Sequence, residues 1–127
     1  MIEIGNNVTI SGNVDFVTHD NSVAKLYGLG NDLYGRITVG DNCFIGLNAT
    51  IMYGVTLADN VIVGSGSVVT KSVTKSNVII AGNPARIVGD WEEFSQKVND
   101  NVICTKGFSA EQKKKKVLES EQKLICR

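Results

Sequence analysis

At 127 residues the chain has room for one domain with an appendage, not for two full domains. Its 13 Lys and Arg balance 13 Asp and Glu, so no whole-chain field points to nucleic acid or to an anionic membrane surface. Three cysteines, Cys43, Cys104 and Cys126, share no CxxC spacing; this argues against a disulfide framework or a zinc knuckle and suits a reducing cytoplasm.

The first residues, Met1-Ile2-Glu3-Ile4-Gly5, have neither a basic stretch nor a long apolar run, so no secretion leader is expected. The longest aliphatic segment, Val78 to Ala81, is too short to span a bilayer. A six-residue period then opens the chain. Ile4, Ile10 and Phe16 stand six apart, with Val8 and Val14 two places before the later pair. Residues two apart share one face of a strand, so each such pair buries an inward stripe. Asn7 and Asn13 fall between the strands, where asparagine accepts left-handed backbone angles and turns a corner.

The register fails at Asp20, which would come at an inward place where an uncompensated carboxylate is costly. Thr18 and His19 take the two places before it, and His19 falls on a corner place. From there to Thr38 no hexad phase is visible, and residues 20–38 read as a loop thrown out from a corner. Its glycines, tyrosines and charges suit a binding wall.

At Val39 the period resumes. Val39, Ile45, Ile51, Leu57, Val63 and Val69 recur every six positions, with Cys43, Ala49, Val55, Val61 and Ser67 two places before the last five. Asn42, Asn48, Gly54, Asn60, Gly66 and Ser72 take the corner places. Short strands with corners at this spacing describe a coil of three flat sides, stacked at about 4.8 Å per coil. An antiparallel sandwich has no cause to hold such a register. Cys43 belongs to the inward stripe and reads as a small buried filler rather than a nucleophile.

After Val73 the pattern dissolves into Thr74-Lys75-Ser76-Asn77, a strand Val78–Ala81, and Gly82-Asn83-Pro84-Ala85-Arg86, where proline ends regular pairing. From Asp90 the character is helical: Asp90-Trp91-Glu92-Glu93 fits a capping box, and Trp91, Phe94 and Val98 share a face. A second helix is expected from Ser109, with Gln112 three later, to about Leu124. Its four lysines, Lys113 to Lys116, are balanced by Glu111, Glu119 and Glu121, so they read as a solvated face. The fold class expected is all-β, a parallel β-helix over residues 1–89, with an α-helical extension over 90–127.

His19 is the only histidine, and it stands on a corner place that packing alone would give to Asn or Gly. Phe16-Val17-Thr18-His19-Asp20, Val39 to Gly46, Gly64 to Lys71 and Ala81 to Arg86 resemble, as an ordered set, the hexapeptide-repeat acetyltransferases. The nearest branch is the maltose/galactoside and sugar O-acetyltransferase group, including members that act on surface polysaccharides, and the match covers residues 1 to about 89. The resemblance implies a left-handed coil and a homotrimer whose active sites lie in clefts between neighbouring β-helices. It implies acetyl-CoA as co-substrate, no permanently bound cofactor or metal, and His19 as general base. Gly46, Ser65, Thr70, Lys71 and Arg86 match positions that contact CoA, and Phe44 falls where relatives often carry a pocket-shaping tryptophan.

The chemistry of these residue types agrees. A neutral imidazole, with a reference pKa of about 6.5, takes a proton from an acceptor hydroxyl, and the freed oxygen attacks the thioester. Lys71 and Arg86 suit phosphates as a point charge and a fork. Asp20, Tyr27, Asp32, Tyr34 and Arg36 are placed to meet the acceptor, expected to be a sugar or another small hydroxylated molecule. One departure stands out: relatives usually have further coils or a helical segment before the histidine, whereas about one coil precedes His19. A degenerate β-helix that binds or scaffolds without turnover is therefore the alternative function. A zinc carbonic anhydrase on this scaffold gathers three histidines, which one per chain does not supply, and no outward threonine array suggests ice binding.

Overall fold

Strands of two or three residues alternate with asparagine and glycine corners through the first part of the chain. The computed structural model describes residues 1–126. It divides into two compact units, Met1–Trp91 and Glu92–Arg127. In the first unit β1 (Ile2–Ile4), β2 (Thr9–Ile10) and β3 (Asp15–Phe16) make the first coil. Next come β4 (His19–Asp20), the short helix α1 (Ala24–Tyr27) and β5 (Leu33–Tyr34). The second coil is β6 (Ile37–Val39), β7 (Phe44–Ile45) and β8 (Thr50–Ile51), and the third is β9 (Thr56–Leu57), β10 (Val61–Val63) and β11 (Val68–Val69). β12 (Val78–Gly82) and β13 (Ala85–Asp90) close the unit.

Strands stack by face. The first face runs β1-β6-β9, the second β2-β7-β10-β12-β13 and the third β3-β8-β11, parallel throughout except for the last pair of the second face. The registers set the inward residues in columns: Ile4, Val39 and Leu57 on the first face; Ile10, Ile45, Val63 and Ile80 on the second; Phe16, Ile51 and Val69 on the third. From the second coil onward these side chains are almost fully buried, together with Ile37, Cys43, Ala49, Val55, Val61 and Val78. Aliphatic columns of this kind gain about 1.5–3 kcal/mol for each large side chain removed from water. Burial pushes the Cys43 thiol up, as an inert filler requires. Ser67, the one polar residue of the inward stripe, accepts from the Gly82 N–H at 3.2 Å.

Corner chemistry follows the sequence closely. Asn7, Asn13, Asn42, Asn48 and Asn60 have φ of 54–58°, and Gly54 and Gly66 have 78° and 70°. The asparagines also link coils, Asn7 Nδ2 donating to Asn42 Oδ1 at 2.6 Å and Asn42 Nδ2 to Asn60 Oδ1 at 2.7 Å. Beside them Asp41 Oδ1 accepts from the Asn6 N–H and Asp59 Oδ1 from the Asp41 N–H.

Five expectations for the first unit need correction. Ser72 is not a left-handed corner; its hydroxyl accepts from the Thr56 N–H at 2.9 Å and so ties two coils without a positive φ. The excursion ends before Ile37, because Ile37 pairs with Ile2 and is fully buried, giving β6 two inward residues. Nor is the excursion without pattern: β4 and β5 pair antiparallel, His19 with Tyr34 and Asp20 with Leu33, so His19 lies on a strand at the base of a hairpin. Pairing does not stop at Pro84; the chain turns across a cis Asn83–Pro84 bond and β13 runs back antiparallel to β12. The first coil is only half buried: Ile2, Ile4 and Ile10 are 42–44% exposed, because they have a coil on one side only.

The second unit takes in most of α2 (Trp91–Val98), a 3₁₀ turn at Asn99–Asn101, α3 (Ala110–Glu119) and a 3₁₀ turn at Glu121–Lys123. Ser109 caps α3 with the reciprocal pair its sequence predicts: Ser109 Oγ accepts from the Gln112 N–H, and Gln112 Oε1 from the Ser109 N–H. The helix stops at Glu119 rather than near Leu124, since Ser120 leaves the helical region and its N–H turns back to the Val117 carbonyl. Lys115 meets Glu119 at 3.9 Å on an exposed face. No helix among the described residues is long and apolar enough to cross a membrane.

Candidate active site

Each coil turns from its third face to its first at a corner, and three such corners lie one below another. His19 leaves the first coil there, Tyr53–Gly54 form the second corner, and Lys71–Ser72 the third. Coil-to-coil bonds hold the line: Val17 N–H to Ile51 O at 2.9 Å, Met52 N–H to Val69 O at 3.0 Å, and Thr56 N–H to Ser72 Oγ. The first and third of these corners are two coils apart, roughly 10 Å at about 4.8 Å per coil.

His19 is exposed, and its ring stacks on Tyr34 across the hairpin, with centroids 6.0 Å apart and planes inclined by 25°. The Tyr34 hydroxyl reaches Asp32 Oδ2 at 3.3 Å. Asp20 accepts from the Ser22 N–H at 2.8 Å on one carboxylate oxygen and from the Tyr53 hydroxyl at 3.2 Å on the other. The Ser22 bonds, more than Tyr53 or the neighbouring His19, hold the Asp20 carboxyl below its ordinary value. Desolvation, then the Asp20 charge, raises the Tyr53 phenol. His19, Asp20, Asp32 and Tyr34 are thus gathered on one hairpin. Tyr27 stands on α1 with its ring exposed and its carbonyl bonded to Asn31, and Arg36 pairs with Glu3 at 2.9 Å.

Farther along the ridge Lys71, Ser72, Thr74, Lys75 and Arg86 surround a cleft of about 390 Å³ whose apolar wall is Val73, Ile80, Ala85 and Ile87. Arg86 is anchored by its own Nη1 bond to the Ala85 carbonyl at 2.8 Å. Thr70 is exposed next to Lys71. Two further predicted positions lie elsewhere. Gly46 and Ser65 form the corner between the second and third faces, where a Cβ on Gly46 would meet the Ser65 nitrogen at 2.6 Å and the Val63 carbonyl oxygen at 2.7 Å. Phe44 points outward from the second face, in a row with Thr9, Ile62 and Ile79. Within one protomer these three do not join the His19 ridge.

Sequence reasoning missed Tyr53 and Lys75. Tyr53 had a signal, being the one aromatic residue among the third hexad places Asp41, Leu47, Tyr53, Asp59, Ser65 and Lys71. Lys75 had none, since it lies where the period has dissolved.

Residues 36–71 match a family model described as the hexapeptide repeat of succinyl-transferase. Over 117 residues the chain is 46% identical to protein CapG of Staphylococcus aureus, covering 90% of this chain and 67% of that protein. The chain belongs to the hexapeptide-repeat acetyltransferase family. Among solved members, it is similar to a maltose O-acetyltransferase from Clostridium difficile 630, with 39% identity, a TM-score of 0.65, and coverage of 70% of this chain and 48% of that one. It is also similar to a galactoside acetyltransferase in complex with coenzyme A, with 32% identity, a TM-score of 0.69, and coverage of 86% and 52%. The chain therefore spans about half the length of these two acetyltransferases.

Proposed function

We propose that the protein transfers an acetyl group from acetyl-CoA to a hydroxyl of a sugar or other small hydroxylated acceptor. One observation carries the reading: an exposed imidazole stands on the same ridge as a cleft lined by two lysines and an arginine. Acetyl-CoA is a co-substrate lying along that ridge, with its phosphates toward Lys71 and Arg86 and its thioester toward His19. The His19 imidazole takes the proton of the acceptor hydroxyl while the oxygen attacks the thioester carbonyl. The C–S bond then breaks, and the imidazolium returns the proton to the departing CoA sulfur. Holding both substrates in one cleft supplies the proximity, so no covalent acyl-enzyme is needed. Tyr34, Asp32 and Tyr27 belong to the hairpin side, which faces the acceptor.

In this reading residues 1–89 are the transferase domain, a left-handed coil as the hexapeptide-repeat match supports, and residues 90–127 are an extension. The working unit is a homotrimer in the cytoplasm, where acetyl-CoA is available. Two features support a partner copy. Beyond Thr9 in the first coil, the outward row of the second face is apolar, Phe44, Ile62 and Ile79, whereas the row on the first face is polar throughout, Glu3, Thr38 and Thr56. Gly46, Ser65 and Phe44 are also separated from His19 within one protomer, and a cleft between neighbours would bring the two corners together. The test is to mix the protein with acetyl-CoA and a panel of sugars, following free thiol and the mass of the acceptor. Thiol release matched by a sugar heavier by one acetyl group is expected. A protein that binds CoA but acetylates no member of the panel would instead fit a scaffold that has lost turnover.

A further inference from the structure

We propose that Tyr53 is a positioning residue for this reaction, its hydroxyl acting through Asp20 to fasten the hairpin that carries His19 onto the second coil. The proposal rests on the reading of His19 as the base. A hairpin of two residue pairs, His19 with Tyr34 and Asp20 with Leu33, has little stability of its own. Its base must be held by the coils.

It is held on both strands, and at the same corner. The returning strand lies hard against Tyr53–Gly54: a Cβ on Gly35 would fall 2.9 Å from the Tyr53 carbonyl carbon and closer still to the Gly54 nitrogen, while the Gly35 N–H ties this strand to the outgoing one at the Thr18 carbonyl, 3.0 Å away. The outgoing strand is fastened through a side chain, Asp20 bridging from the Ser22 N–H to the Tyr53 hydroxyl. A bond to an ionised carboxylate is among the stronger hydrogen bonds available to a partly exposed group. Neighbouring side chains on a strand point to opposite sides, so fixing Asp20 also fixes the direction of His19. The cross-strand stack on Tyr34 then sets the plane of the ring. Both Asp20 oxygens are engaged within the protein, so Asp20 serves the base by holding its strand rather than by touching the acceptor.

Because the chain has one histidine, its Cε1–H proton gives one assignable NMR signal, displaced by the ring current of Tyr34. A Tyr34→Leu protein supplies the unstacked position of that signal. In Tyr53→Phe, which keeps the ring and loses the hydroxyl, the signal should move toward the unstacked position. The kcat should fall by between about tenfold and a hundredfold, as small misplacements of reacting groups do, while KM for acetyl-CoA stays unchanged. Tyr53→Phe combined with Asp20→Ala should be no worse than Asp20→Ala alone. An unmoved His19 signal, a wild-type kcat, or losses that add as if independent would overturn the proposal. Full activity in a His19→Ala protein would instead remove the base reading, and the NMR signal distinguishes that failure from a failure of the fastening.

Discussion

Asp20 shows how much can depend on where one carboxylate sits. The hexad register places it inward, and the chain responds by leaving the coil and turning the group toward the Ser22 N–H and the Tyr53 hydroxyl. Its carboxyl is held below the ordinary 3.8, first by Ser22. A depressed carboxylate pKa adds stability that is present above the unfolded value and lost as pH falls through the folded one. The His19–Tyr34 stack, followed by cross-relaxation between the two rings, should therefore persist through mild acid and weaken only below about pH 4. His19 could be picked out in the sequence because it takes a corner place where the register fails, whereas Lys71 and Arg86 came from resemblance alone. Tyr53 could not be given a role, because its partner lies 33 positions away on a hairpin that no period marks.

Among the elements, the stacked columns carry the stability, and their ends differ from their middle. Ile45 is fully buried between Ile10 and Val63, whereas Ile10 has a neighbour on one side only. Ile45→Ala should cost about 2–5 kcal/mol and Ile10→Ala no more than about half of that, measured as shifts of the urea midpoint. The columns were legible because two inward residues per hexad leave an unambiguous period. The hairpin was not, since two-residue strands on either side of a four-residue helix carry no periodicity to read. The α3 start was legible through the Ser109 and Gln112 pair, but the thin apolar stripe beyond Glu119 gave no stop signal.

For the molecule as a whole, the open question is how two separated corners serve one reaction. The sequence placed Gly46, Ser65 and Phe44 with His19 only through resemblance; the fold of one protomer sets them on other edges, and the proposed assembly of three copies would reunite them. Phe44→Glu would put a charge into the apolar row it forms with Ile62 and Ile79, and if the proposed trimer covers that row, burial without a partner costs several kcal/mol. Sedimentation should then show the mass of one chain instead of three, with an unchanged circular dichroism spectrum and no acetyl transfer. A trimer that survives the substitution would move the interface to another face.

The most direct measurement compares acceptor-dependent thiol release from acetyl-CoA by the wild-type protein and by His19→Ala at saturating acetyl-CoA. Loss of a general base predicts a rate lower by about 10²–10⁴-fold with CoA still bound. An undiminished rate would contradict it and take the imidazole out of the mechanism.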